Sequence, residues 1–232
     1  MFGEVEENVD GPAMHPYYPQ HVAIPNYVPN TTSLIVALGV FGAIIGSVVL
    51  AALVLTRQFN PKLQRGDQLV LSWFVLCAFL HCCFEGYFVV NHAAIAGSQG
   101  LFAQVWKEYA LSDSRYLTSD PFMLCIETLT TLIWGPLSVL TAVSIARDSK
   151  LRHLAQVVVC IGHLYGVALY YGTCHFEEKY RGVSYSRPEF LYFWVYYVGF
   201  NAPWVVVPLF LAYQSATAIQ RSFNAAEVRK AS

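Results

Sequence analysis

Apolar residues gather into five runs along the chain, at 33–56, 69–90, 121–146, 154–174 and 189–213. Each is long enough to cross a bilayer, which takes about 20 residues. None shows the roughly ten-residue alternating pattern of a membrane barrel strand. In lipid every backbone polar group needs a partner within the chain, so each run is predicted to be a helix. The pattern therefore predicts an all-α, polytopic membrane protein, a bundle of five transmembrane helices over residues 33–215. A Pro-rich acidic tail (1–32) precedes the bundle and a short tail (216–232) comes after it.

Composition sharpens this picture. Hydrophobic residues are 56% of the chain and charged residues 12%, the latter about half the share of a soluble domain. Disorder, a coiled coil and a soluble α/β enzyme are excluded. Fourteen Lys and Arg against 15 Asp and Glu leave a net charge of −1 and no basic surface for nucleic acid. The six cysteines sit mostly inside the runs, with no CxxC, and read as small apolar fillers. Glu4, Glu6, Glu7 and Asp10 replace the basic region that a signal peptide would need. Pro12, Pro16, Pro19, Pro25 and Pro29 predict an extended tail.

Five spans place the two ends of the chain on opposite sides. The tail and the connections 91–120 and 175–188 hold five basic residues: Lys107, Arg115, Lys179, Arg181 and Arg187. The other side holds nine: Arg57, Lys62, Arg65, Arg147, Lys150, Arg152, Arg221, Arg229 and Lys230. The positive-inside rule predicts a cytosolic C-terminus and a lumenal or extracellular N-terminus. Asn30-Thr31-Thr32 is a glycosylation sequon, but its closeness to the first span argues against its use. Gly42/Gly46 and Gly162/Gly166 have GxxxG spacing and are expected to serve helix packing.

Ionisable residues inside a span are expensive and point to function. The second run holds His81 and Glu85, four apart and thus on one helix face; the third holds Glu127. Glu127, Thr130, Thr131 and Trp134 are spaced i, i+3, i+4, i+7 and are expected to share a face. The fifth adds Asn201 and Trp204. Counting from the run ends at 1.5 Å per residue puts Glu85 and Glu127 both roughly 8–9 Å below the lumenal surface. A lone intramembrane His or Glu often only ties helices together. Burying two acids and an imidazole for packing alone is costly, so one acid–base pocket is the stronger reading. A His and a Glu four apart can share a metal, yet repeated His clusters are missing and no metal is expected. No Lys lies within a span, which excludes a retinal-type Schiff base, and no Ser lies in a GxSxG context. In the 91–120 connection, Asp120-Pro121 reads as an N-cap with Pro at the first helical position. The aromatics and charges before it suit an interfacial lid, or else an ordinary aromatic belt.

These motifs resemble the emopamil-binding protein family, which includes the sterol Δ8–Δ7 isomerases. The resemblance rests on Trp106-Lys107-Glu108-Tyr109, Asp113-Ser114-Arg115-Tyr116, His81-x-x-x-Glu85-Gly86-Tyr87-Phe88, Glu127-Thr128-Leu129-Thr130, Trp134-Gly135-Pro136, Tyr165-Gly166 and Asn201-x-x-Trp204, and covers about residues 65–215. It implies five helices around an intramembrane sterol cavity, residence in the endoplasmic reticulum membrane, no cofactor, and frequent homodimers. It also implies a sterol substrate, surrounding membrane lipid, and inhibition by cationic amphiphilic amines. His81, Glu85 and Glu127 are then the catalytic candidates. Thr130, Asn201, Trp204, Trp106, Tyr109, Asp113, Arg115 and Tyr116 are candidates for binding substrate or steadying a cation. The reaction would protonate C9 and deprotonate C7 of a Δ8-sterol through a carbocation. The alternative is a non-catalytic binder of sterols or cationic amines, which would not need three titratable groups together.

Overall fold

The computed structural model describes residues 15–231. All its regular elements are helical; no strand occurs among the described residues. The five spans are α1 (Leu34–Phe59), α2 (Arg65–Asn91), α4 (Pro121–Ala146), α5 (Leu151–Arg181) and α6 (Leu191–Lys230). A short amphipathic helix, α3 (Leu101–Tyr109), lies in the connection between α2 and α4. The spans run beyond the apolar stretches, α6 furthest, since its helix continues through the polar residues after 213 to Lys230. Asp120 caps α4 as expected: its side chain accepts from the Met123 N–H at 3.0 Å, with Pro121 in the first turn. α5 ends at Gly182, whose φ of 66° is the left-handed conformation that closes a helix cheaply only at glycine.

Ala37 and Thr56 are the buried residues of α1, and Ile35, Leu50 and Leu55 on the same helix are exposed. A helix apolar all round with so little of it covered belongs in lipid. It packs on α2 and on α3. The tightest bundle contacts are α5 with α6 and α2 with α4.

Three wide π-helical turns interrupt the spans, at Leu80–Glu85 in α2, Thr130–Trp134 in α4 and Leu191–Gly199 in α6. Such turns add a residue to one helical repeat, and they recur at functional sites. The first two stand side by side, and they carry candidate residues of the second and third spans.

Residues 15–33 are non-helical and pack on α3. Tyr17 and Ile24 are buried. The Tyr17 hydroxyl donates to the Lys107 carbonyl at 3.1 Å, and Lys107 Nζ donates to the Val28 carbonyl at 2.8 Å. Asn30 Nδ2, the sequon nitrogen, donates to the Gln104 carbonyl at 2.8 Å. Glu4, Glu6, Glu7, Asp10 and Pro12, which carry much of the acidic-tail expectation, lie outside the described residues.

Candidate active site

Two glycines allow close approaches here, Gly135 of α4 to the His81 turn and Gly162 of α5 to Trp134. A Cβ on Gly135 would lie 2.5 Å from Cys82 Sγ and 3.3 Å from His81 Cβ. A Cβ on Gly162 would lie 2.7 Å from Trp134 Cε2. Neither position has room for a side chain. The expected GxxxG packing holds for Gly162 alone: Gly42, Gly46 and Gly166 have nothing within 4 Å of an added Cβ. The close approach at Gly135 comes instead from a glycine with no such spacing.

His81 is 2% exposed, and its Nδ1 faces Glu85 Oε2 at 2.7 Å. Its Nε2 faces His163 Nε2 of α5 at 2.9 Å. Glu127, across from them on α4, accepts a hydrogen bond from the Tyr116 hydroxyl at Oε1, 2.9 Å away. One oxygen of each carboxyl is engaged in this way, and the second has no protein partner among the described residues. Thr130 Oγ1 donates back to the Ile126 carbonyl at 2.8 Å. Asn201 Nδ2 donates to the Tyr197 carbonyl at 2.8 Å and to the Tyr109 hydroxyl at 3.3 Å. The Trp204 ring sits 5.4 Å from that of Trp73. Trp106 stacks on Phe84 at 4.4 Å and donates its indole N–H to the Phe84 carbonyl at 3.0 Å.

His81, Glu85, Glu127, Thr130, Asn201, Trp204, Trp106, Tyr109 and Tyr116 all line one cavity of about 480 Å³. Its remaining wall is mainly apolar, from Phe41 and Ile45 of α1 to Val167 and Tyr170 of α5. This volume lies in the range of small-ligand sites, roughly 300–1,000 Å³. Trp134 joins the lining but Thr131 does not; it turns toward Gly86. The expected i, i+3, i+4, i+7 face holds for Glu127, Thr130 and Trp134 and fails only at Thr131, which lies in the π turn at 130–134.

Asp113 and Arg115 are not among the cavity-lining residues. They sit behind Tyr116, 0% and 2% exposed, in an ion pair with Nη2–Oδ2 at 2.7 Å. Arg115 also donates to Thr173 Oγ1 and Cys174 Sγ, and lies 5.1–5.5 Å from the rings of Phe122, Tyr170 and Tyr185. In the connection expected as a lid or belt, the Asp113–Arg115 part is thus packed inward with its charges paired, while Trp106, Glu108 and Tyr109 line the cavity.

Sequence reasoning missed His163, although the rule that flagged His81 applies to it equally. It missed Glu108 too, a cavity-lining carboxyl on α3 that accepts from the Tyr196 hydroxyl at 3.0 Å. Burial pushes the Glu108 carboxyl up, against the opposing pull of Tyr196 and Arg187. Burial pushes the neighbouring Lys107 ammonium down. The ligand atoms of Cys77, His81 and His163 lie within 4.8 Å of one another, a soft N/S donor set of a kind that suits zinc or copper.

A carboxyl pair facing an apolar cavity, with an imidazole hydrogen-bonded to one acid, can deliver a proton at one point of a ligand and remove one at another. Comparison with known proteins bears on which ligand. Residues 101–215 match the family described as EBP: EXPERA (EXPanded EBP superfamily). The chain is 37% identical over 202 residues to 3-beta-hydroxysteroid-Delta(8),Delta(7)-isomerase of Mus musculus, which covers 85% of each chain. It is 35% identical over 220 residues to the same-named protein of Cavia porcellus, 93% of each. Isomeliandiol synthase of Melia azedarach is 35% identical over 147 residues, 63% of this chain and 67% of that one.

Proposed function

Since the chain belongs to the EBP (EXPERA) family, we propose that it is a sterol Δ8–Δ7 isomerase that works by proton addition and removal inside the bilayer. Three relatives that it matches over 85–93% of its length are named 3-beta-hydroxysteroid-Delta(8),Delta(7)-isomerase, and the activity assigned to it is theirs. The observation that carries the mechanism is local. Glu85 and Glu127 each keep one oxygen in a hydrogen bond and leave the other to the same largely apolar cavity.

The chemistry needs that pairing. One carboxyl group gives a proton to C9 of the C8=C9 bond, which leaves a tertiary cation at C8. The other takes the proton from C7, and the C7–H electron pair becomes the C7=C8 bond. No electrons are gained or lost, so the reaction draws on no redox partner. His81 steadies Glu85 and shares its proton; the Tyr116 hydroxyl does the same service for Glu127. The π face of Trp204 offsets the positive charge by about 1–2 kcal/mol when water is kept out. The same site would hold a cationic amine, because an ammonium carries its charge where the transition state does.

The proposed place is the endoplasmic reticulum membrane, as the family resemblance implies, and the excess of Lys and Arg on the opposite side favours a lumenal N-terminus. α3 then roofs the lumenal end of the cavity, and residues 15–33 pack on α3.

Purified protein incubated with a Δ8-sterol in deuterated water tests the reading. The expected product is the Δ7-sterol carrying one deuterium at C9. Tight sterol binding with no conversion would overturn it in favour of a binding protein.

A further inference from the structure

α5 brings a second imidazole to the reacting cluster. His163 is 5% exposed and lines the cavity, and its Nε2 lies 2.9 Å from His81 Nε2. The two rings meet edge to face, with centroids 5.0 Å apart. On its other ring nitrogen, Nδ1, His163 has no hydrogen-bond partner among the described residues. His81, in contrast, is held at both nitrogens: by Glu85 from its own helix and by His163 from a different one.

We propose that His163 is a positioning residue for the isomerisation, which fixes the ring plane and the tautomer of His81 and through them the orientation of Glu85. This rests on the isomerase reading only for its kinetic test. Two nitrogens facing each other share a single hydrogen, so one ring donates and the other accepts. If His81 donates through Nε2, its neutral ring accepts at Nδ1 and Glu85 holds its proton. If His81 accepts at Nε2, it donates through Nδ1 to a Glu85 carboxylate. The tautomers of both rings and the proton on Glu85 therefore change together. Without His163, the Nε2 edge of His81 would lose its hydrogen-bond partner and keep only the Cys77 thiol nearby, and the ring would be held by Glu85 alone.

The packing supports this role. Gly162 lets the α5 backbone close on Trp134, with no room for a Cβ, and the next residue is His163. Packing alone does not ask for an imidazole there. A leucine would fill much of the space without burying an unpartnered nitrogen. The polarity of His163 has one partner, and that partner is His81.

The test compares three variants in the full-length protein, with Δ8-sterol turnover and amine affinity measured on each preparation. His163→Leu is expected to lower kcat at least about tenfold, part of what a general acid–base pair contributes, and to leave KM and amine affinity within about threefold. His163→Gln, whose amide reaches His81 Nε2 but does not titrate, is expected to keep most of kcat. Should the leucine variant not fold, His163→Asn, too short to make the bond, is expected to lose kcat in its place. Unchanged kcat in the leucine or asparagine variant would overturn the proposal. A glutamine variant as slow as leucine would also overturn it, since His163 would then act by titrating. So would stoichiometric zinc in the purified protein, held between the same nitrogens. ¹⁵N-histidine spectra read the His81–His163 bond without turnover. The His81 Nε2 signal is expected to move to an unbonded position in His163→Leu and to stay in His163→Gln. That result in a protein that converts no sterol would sink the isomerase reading and leave the positioning of His81 standing. An unmoved signal would sink the positioning itself.

Discussion

Asp113 and Arg115 are satisfied at every polar side-chain atom they own, whereas Glu85 and Glu127 are satisfied at one oxygen each. Both clusters are buried, both involve carboxylates, and Tyr116 stands between them. The first closes on itself: a forked ion pair, a hydroxyl, a thiol and three aromatic rings saturate it. It has nothing left with which to hold a ligand. The second is left incomplete and faces open space. A carboxyl oxygen left open to the cavity is free to meet a ligand or a proton, so between these two clusters that openness, more than burial or charge, separates chemistry from scaffolding.

Glu127→Gln puts that contrast under the greatest strain. The amide keeps the volume and still accepts from Tyr116, but it exchanges no proton. Turnover is expected to fall by about 10²–10⁴-fold, the size of a lost acid–base contribution, while the thermal midpoint in detergent stays near that of the wild type. Full turnover would move Glu127 to the scaffolding side.

Arg115→Met is expected to do the reverse. It strands the Asp113 carboxylate in a buried site, which costs about 3–5 kcal/mol of stability. Chemical unfolding would read the loss. Replacing Asp113 with leucine as well should restore much of it, because two apolar residues leave no charge unpaired. A stable single variant that no longer binds sterol or amine would return Arg115 to the binding site.

The glycines give a smaller effect. Gly162→Ala forces Trp134 or α5 to move and should cost about 1–3 kcal/mol. Gly166→Ala, with open space around its Cβ position, should be neutral or gain up to about 1 kcal/mol from helix propensity. Equal losses at both positions would mean that the close approach at Trp134 is not what distinguishes them.

The five spans were legible in the sequence because hydropathy over 20 residues depends little on tertiary detail. So were the intramembrane acids, since a Glu in an apolar run stands out whatever it touches. What was not legible depended on direction. Nothing in Asp113-Ser114-Arg115-Tyr116 says that Tyr116 points at the cavity and the two charges away from it. The π turns were invisible as well, because one extra residue in a helical turn leaves composition unchanged, yet the one at 130–134 holds Thr131, which is absent from the cavity lining. Gly135 escaped notice because the close contact it permits obeys no repeat. His163 is a different case: it sits in a span and was readable by the same rule as His81.

Trp204→Leu draws the comparison finest, because it asks what the open cluster adds beyond a cavity wall. Leucine keeps apolar contact with a ligand but lacks the negative π face. A cationic amine should therefore lose about 1–2 kcal/mol of binding, or roughly 5–30-fold in affinity, while a neutral sterol loses only packing. Trp73, whose ring lies 5.4 Å from that of Trp204, supplies an internal control. It backs Trp204 but is not among the cavity-lining residues, so Trp73→Leu should weaken both ligands alike, through looser support. Both affinities would be measured on one preparation of each variant. Equal losses for amine and sterol in Trp204→Leu would make Trp204 wall only, and the task of balancing the cation would pass to the free oxygens of Glu85 and Glu127.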